Sequence, residues 1–315
     1  MSYSRKNAIL VREEFDKKRI KNEQERESRL ERAYSLCPEL LKIDSELSKT
    51  GLNIMASAMQ GKEGLEERIN ALKEQNLALQ ANRIELLNSV GLDSDYTDMK
   101  YECDKCNDLG YVNGKMCSCY KNALIQKGYE SSGIGKLLEK QSFETFSLDV
   151  YENKEEMQGL FNYLINYVKG FENDKQSLLF VGGTGLGKTH LSTAVAKSLI
   201  ENGYDVVYET AQNIFFDFDN DRFRDRYSDE EMVSQKYLDC DLLIIDDLGA
   251  EAVSSFSVSC LYNIINTRLN KGLPIIASTN LSSAEIRKIY NDRITSRLFG
   301  EFTIKLFRGS DMRRR

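Results

Sequence analysis

At 315 residues the chain has room for about two domains, and its 43 basic and 49 acidic residues leave a formal charge of −6. That balance excludes a broadly basic nucleic-acid coat, so any contact with DNA must come from a local patch. No apolar run approaches the ~20 residues of a membrane span and no charged-then-apolar leader opens the chain, so a cytoplasmic location is expected.

Residues 1 to about 36 carry dense charge of both signs around a sparse apolar set, Ile9, Leu10, Phe15, Ile20, Leu30 and Tyr34. This predicts a helix whose weak stripe needs a partner surface. A second helix is expected from Pro38, a residue suited to a first helical turn. Leu40, Ile43, Leu47, Thr50, Ile54 and Ala58 recur in steps of three and four. After Gly61 the same spacing returns in Leu65, Ile69, Leu72, Asn76, Leu79, Arg83, Leu86 and Val90. Two such runs across a glycine turn predict an antiparallel hairpin of coiled-coil type, with Asn76 and Arg83 in its seam.

Cys103 and Cys106 then form a CxxC, and Cys117 and Cys119 a CxC. The stretch between them reads as a short hairpin with an Asn113-Gly114 turn, which would bring the two pairs together. Four thiolates suit tetrahedral zinc in a closed, structural site. Unligated cysteines, a redox CxxC and an iron–sulfur cluster are the competing readings, ranked below zinc. Residues 122–150 read as a linker in which Phe143 and Phe146 anchor to the following domain, either beside a bound base or as plain core.

The apolar run from Ser177 to Val181 predicts a buried strand, and Leu191, Val195, Ala196 and Leu199 predict an amphipathic helix. Between them stands a GxxxxGK[ST] loop: Gly182, Gly183, Thr184, Gly185, Leu186, Gly187, Lys188 and Thr189, followed by His190. Glycines let successive N–H groups face an anion, and the helix N-terminus adds positive potential. Lys188 is expected at the β- and γ-phosphates of ATP, and Thr189 at Mg²⁺. The strand Asp241–Leu248 ends in Asp246, expected in the Mg²⁺ shell, and Asp247, expected to polarise the attacking water. The strand Pro274–Thr279 leads to Asn280, read either as orienting that water or as capping its loop. Arg293 and Arg297 share one helical face before a last strand, Phe302–Phe307. Phe215 to Tyr227 interleaves four phenylalanines and a tyrosine with Arg222, Arg224 and Arg226. It suits either base stacking with phosphate contacts or a core.

Taken together, GGTGLGKTHL, LLIIDDLGAE, IIASTN and NDRITSRLFGE resemble the phosphate loop, Walker B, sensor 1 and arginine-finger segments of the AAA+ ATPases. More narrowly they are similar to the bacterial replicative helicase loaders of the DnaC and DnaI type and their IstB relatives, over about Phe143 to Arg308. The cysteine segment is similar to the zinc module of DnaI-type loaders. The resemblance implies an α/β ATPase domain with a five-stranded parallel sheet of order 5-1-4-3-2 and no C-terminal lid. It implies ATP hydrolysis, self-association through the ATPase domain, contact with single-stranded DNA, and a hexameric replicative helicase gripped by the N-terminal region. Arg293 matches the trans-acting finger best and Arg297 second. The expected domains are a helical arm (1–100), a zinc module (101–121), the linker and an ATPase domain (151–315). A transposition-helper ATPase and a nucleotide-gated adaptor with negligible turnover are the alternatives.

Overall fold

A computed structural model describes residues 3–59, 64–135, 137–223 and 232–309. The chain divides into two compact units, Arg12–Cys119 and Met1–Val11 together with Tyr120–Arg315. Among the described residues no helix is long and apolar enough to cross a membrane.

The first unit is helical. It contains most of α1 (Arg5–Leu36), then α2 (Glu39–Ser48), α3 (Thr50–Met59) and α4 (Leu65–Ser89). The run expected as one helix from Pro38 is broken after Ser48, beside Thr50 and Gly51, which are weak helix formers. Both α2 and α3 pack on α4, as a hairpin requires; its Gly61 turn lies outside the described residues. The apolar centre is small: Ala33, Leu40 and Leu87 are buried, with Tyr34, Cys37, Leu86 and Leu92 packed on them. Polar bonds supply the register. Asn76 Nδ2 donates to Thr50 Oγ1 at 2.9 Å. Arg83 Nε donates to Asp44 Oδ1 at 2.6 Å and its Nη2 to Thr97 Oγ1 at 2.8 Å. Asp44 also accepts from the Tyr34 hydroxyl. Strands β1 (Tyr111–Val112) and β2 (Lys115–Met116) then form the small hairpin between the cysteine pairs. Asn113 and Gly114 have φ of 51° and 75°, the paired left-handed conformation of a two-residue hairpin turn.

The second unit is built on one sheet. Helices α5 (Ser118–Ser131), α6 (Leu137–Lys140) and α7 (Lys154–Gly170) precede β3 (Ser177–Val181) and α8 (Lys188–Glu201). Then come β4 (Val206–Thr210), α9 (Ala211–Arg222), α10 (Gln235–Asp239), β5 (Leu242–Leu248) and α11 (Ser255–Lys271). Strand β6 (Ile275–Thr279), α12 (Ser283–Ile289), α13 (Asp292–Gly300) and β7 (Phe302–Leu306) complete it. The strands run parallel in the order β4-β5-β6-β3-β7, which is 5-1-4-3-2 when β3 is counted first. Helices cover both faces, so β3, β5 and β6 are nearly continuous apolar runs. Leu178 and Phe180 enter one core with Leu191, Val195 and Leu199, whereas Leu179 and Val181 enter the other with Leu261 and Ile264.

The stretch expected as a linker is packed into this unit. Ser132 O accepts the Tyr208 N–H at 2.8 Å, covering the outer edge of β4. Tyr129 donates its hydroxyl to Glu201 at 2.7 Å, and a Cβ on Gly133 (φ 82°) would meet Tyr208 O at 2.5 Å. The first residues belong here as well: Asn7 Nδ2 donates to Ser131 Oγ at 2.7 Å, and Tyr3 lies against Gly203. The expected boundaries at 100 and 150 therefore give way to breaks near 11 and 120. Edge strand β4 and the surface of α8 leave apolar and hydrogen-bonding groups that these segments satisfy.

Candidate nucleotide site and cysteine cluster

At the carboxyl ends of the strands lies a cavity of about 500 Å³, where open parallel sheets bind ligands. Residues 184–190 of the glycine loop form one wall, with Asp246, Asp247 and Asn280 on the sheet and Leu137 and Gln141 ahead of α7. The loop is shaped by its glycines. A Cβ on Gly182 would stand 2.4 Å from Phe307 O, so only glycine lets the chain leave β3 beside β7. Gly187 caps α8 with φ of 87°, which turns the first helical N–H groups toward the cavity. Gly182 and Gly183, expected to touch nucleotide, do not line the cavity. Their carbonyls instead accept from Lys188 Nζ, each at 2.7 Å.

Lys188 is buried, and its ammonium also donates to Asn280 Oδ1 at 2.8 Å. Asn280 Nδ2 in turn lies 3.3 Å from Asp247 Oδ1. Lysine, asparagine and carboxylate thus form one hydrogen-bonded chain across the cavity floor, contributed by α8, the end of β6 and β5. Asp247 is exposed and holds φ of 53°, uncommon for a residue with a side chain. The register between β5 and β6 breaks at this point, between Ile245 and Leu248. Bulges of this kind re-aim side chains beside active sites, and here the break separates the two carboxylates.

Asp246 is turned into the sheet and held by three hydroxyls. Thr189 Oγ1 donates at 3.2 Å and Tyr208 at 2.7 Å to Oδ2, while Ser278 donates to Oδ1. Ser278 Oγ also accepts the Asp247 N–H at 3.1 Å. Burial and the neighbouring Asp246 charge push the Tyr208 hydroxyl well above its ordinary pKa, so it remains a donor. Bringing Thr189 and Asp246 together suits a hard divalent cation, which takes oxygen ligands. Sequence reasoning missed Tyr208 and Ser278 because their link to Asp246 exists only across neighbouring strands. It missed Gln141 because its segment read as a linker. Phe143 and Phe146 do not line the cavity; they pack around Phe161, with Phe146 also edge-on to His190.

Neither arginine of α13 lines this cavity. Arg297 is committed within the unit, donating to Asn266 Oδ1 at 2.7 Å with its guanidinium 4.7 Å from the Tyr262 ring centre. Arg293 is exposed, and no side-chain bond of its own is recorded among the described residues. In the aromatic segment, Phe215 is buried and Phe218 packs on the same core. Phe216 and Phe223 are exposed, and Arg222 lies 5.8 Å from the rings of both Phe223 and Phe256. Arg224, Arg226 and Tyr227 lie outside the described residues.

In the helical unit, the four sulfurs of Cys103, Cys106, Cys117 and Cys119 lie within 4.8 Å of one another. Cys103 and Cys117 are 3.8 Å apart, and Cys106 and Cys119 3.4 Å. A zinc tetrahedron with bonds of about 2.3 Å has edges of about 3.8 Å, so the donor set fits that ion. The Cys119 N–H draws the Cys117 thiol down to about 7, whereas burial raises Cys106 and Cys119. The knuckle is fixed by buried Asp108, whose carboxylate accepts the N–H groups of Cys103 at 2.9 Å and Glu102 at 3.0 Å. The CxxC does not open a helix, as a redox pair of the thioredoxin kind requires.

The family profile described as "IstB-like ATP binding protein" matches residues 136–300, more than half of the chain. The replicative helicase loader DnaC of Escherichia coli K12 is 28% identical over 177 residues, 55% of this chain and 69% of DnaC. The phage-like element PBSX protein XkdC of Bacillus subtilis strain 168 is 27% identical over 199 residues, 58% of this chain and 73% of XkdC. A crystal structure of the DnaC helicase loader superposes with a TM-score of 0.45 at 23% identity, covering 53% of this chain and 98% of that one. With the glycine loop, Lys188 and the two carboxylates assembled on one parallel sheet, the chain belongs to the IstB-like ATP binding proteins.

Proposed function

We propose that this protein is an ATPase that loads a ring-shaped replicative helicase onto single-stranded DNA, with ATP binding and hydrolysis controlling assembly and release. The observation that carries the reading is the chain Lys188–Asn280–Asp247 at the mouth of the glycine loop, in a family member similar to DnaC. Asp247 is exposed at the cavity and accepts a proton from the attacking water, while Asn280 orients that water. Lys188 neutralises the β- and γ-phosphates, and loop N–H groups hold them. Thr189 and Asp246 would hold a magnesium ion, which would supply further neutralisation of the phosphates. Arg293, exposed on α13 and without a side-chain bond among the described residues, serves the site of an adjoining copy, which makes hydrolysis depend on self-association.

The helical unit is the helicase grip. Its α3 has no buried residue, and Leu52, Met55 and Met59 are strongly exposed, as a helix awaiting a partner would be. Cys103, Cys106, Cys117 and Cys119 would hold zinc, which would staple this unit beside its cluster of Ala33, Leu40 and Leu87. Phe216, Phe223 and Arg222 form the single-stranded DNA contact, by stacking and phosphate pairing.

The test is loading. With the full chain, a hexameric replicative helicase and closed circular single-stranded DNA, helicase should become DNA-bound only with ATP present. Helicase that never co-purifies with the chain would end this reading. The IstB-like family match favours a second reading, a transposition helper; association with a transposase instead of the helicase would select it.

A further inference from the structure

Tyr208 stands on the outer strand of the sheet, yet its hydroxyl ends at a carboxylate of the nucleotide cavity. The residue is buried, in the same core as Phe180, Leu191 and Val195. Its hydroxyl donates to Asp246 Oδ2 at 2.7 Å, closer than the 3.2 Å from Thr189 Oγ1 to the same oxygen. Ser192 Oγ lies 3.1 Å from that hydroxyl and donates to Thr189 O at 3.1 Å. The phenol therefore stands between the phosphate-loop helix and β5, while Ser278 holds the other oxygen of Asp246 from β6. The main chain of Tyr208 is fixed as well. Its N–H donates to Ser132 O at 2.8 Å beyond the sheet edge. Gly133 approaches so closely that a Cβ there would stand 2.5 Å from Tyr208 O. A stiff side chain packed in a core and bonded at its tip holds its partner in one place.

We propose that Tyr208 is a positioning residue of the nucleotide site, fixing the Asp246 carboxylate in the orientation that a divalent cation bound with nucleotide requires. The inference rests on the cavity being a nucleotide site with Thr189 and Asp246 at the cation. Carboxylates that serve a metal are themselves held by hydrogen bonds from residues outside the ligand set, and losing such a bond costs about 10- to 100-fold in metal affinity. Without the phenol, Oδ2 would keep only the longer bond from Thr189. Tyr208 does not line the cavity, so its hydroxyl acts on the cation through Asp246 and leaves the contacts of the loop with phosphate unchanged.

The test is calorimetric binding of the non-hydrolysable analogue AMP-PNP to the full chain and to Tyr208→Phe, each in excess Mg²⁺ and in EDTA. The parent should bind more tightly in Mg²⁺. Tyr208→Phe keeps the ring in the core, so its affinity in EDTA should stay within about twofold of the parent, while the gain from Mg²⁺ falls by about tenfold or more. Ser192→Ala, which loosens the same hydroxyl without touching the ring, should show the same selective loss in smaller measure, and it is read in the same way if Tyr208→Phe does not fold. A variant that keeps the parent's full Mg²⁺ gain would overturn the role of Tyr208 while leaving the cation site standing. An equal loss in Mg²⁺ and in EDTA would make the residue structural only. A parent that binds AMP-PNP equally well in both would overturn the cation site, and one that binds no nucleotide would overturn the nucleotide site; either result ends this inference too.

Discussion

Two arginines one helical turn apart on α13 are expected to fail in opposite ways. Arg297→Ala removes a bond to Asn266 at 2.7 Å and a stack on Tyr262 at 4.7 Å. A hydrogen bond with one charged partner is worth about 1.5–3 kcal/mol, and a partly exposed cation–π contact about 0.5–1. Because the guanidinium is only half-buried, solvent screening brings the combined loss to about 2 kcal/mol. In a unit of about 200 residues, that lowers the melting temperature by roughly 4–8 °C. Arg293→Ala, at an exposed position, should shift stability by less than about 0.5 kcal/mol. If Arg293 completes a neighbour's site, however, its loss should lower assembly-dependent hydrolysis by about 10³ to 10⁵. The assay pairs thermal melting with ATP turnover per subunit across protein concentration. Mixing Arg293→Ala with Lys188→Ala should restore turnover, because a Lys188→Ala subunit still offers its arginine to an intact site. An Arg297→Ala protein that melts like the parent yet loses concentration-dependent turnover would refute the assignment. So would Arg293→Ala turnover that matches the parent.

Lys188→Ala should weaken ATP binding at least about a hundredfold, since it removes the charge facing the phosphates. Asp247→Asn should bind ATP within a few-fold of the parent and lose hydrolysis, which single-turnover kinetics will separate from binding. Zinc is expected in equal amount to protein by elemental analysis. Chelation or Cys106→Ser should lower the melting of Arg12–Cys119 while ATP binding by the other unit persists; a protein free of zinc, or one with an iron chromophore, contradicts this. Replacing both Phe216 and Phe223 by alanine should weaken single-stranded DNA binding by about 2–6 kcal/mol in fluorescence anisotropy, at roughly 1–3 per stacked base. Unchanged affinity would assign these rings another role.

The sequence alone was sufficient wherever a short stretch dictates its own backbone. Glycines at 182 and 187 before Lys188 allow the close approach to Phe307 and the left-handed turn that a loop running into a helix start requires. Asn113-Gly114 requires the left-handed turn that draws four cysteines together. Uniformly apolar runs marked buried strands at Ser177–Val181 and Asp241–Leu248, and the parallel order of the sheet came from the family resemblance. Tertiary structure decided which distant side chains meet. Asp246 is held by Tyr208 and Ser278 only because β4 and β6 flank β5 on either side in the folded sheet. Asp108 became the knuckle of the cysteine cluster through bonds to backbone N–H groups that no spacing rule anticipates. Arg293 and Arg297 share one sequence pattern, and only the packing of α13 beside Tyr262 and Asn266 tells the committed residue from the exposed one. The 122–150 stretch likewise has a polar, linker-like composition. It takes its place because the β4 edge offers an unpaired N–H that Ser132 satisfies, and that need is visible only once the sheet is formed.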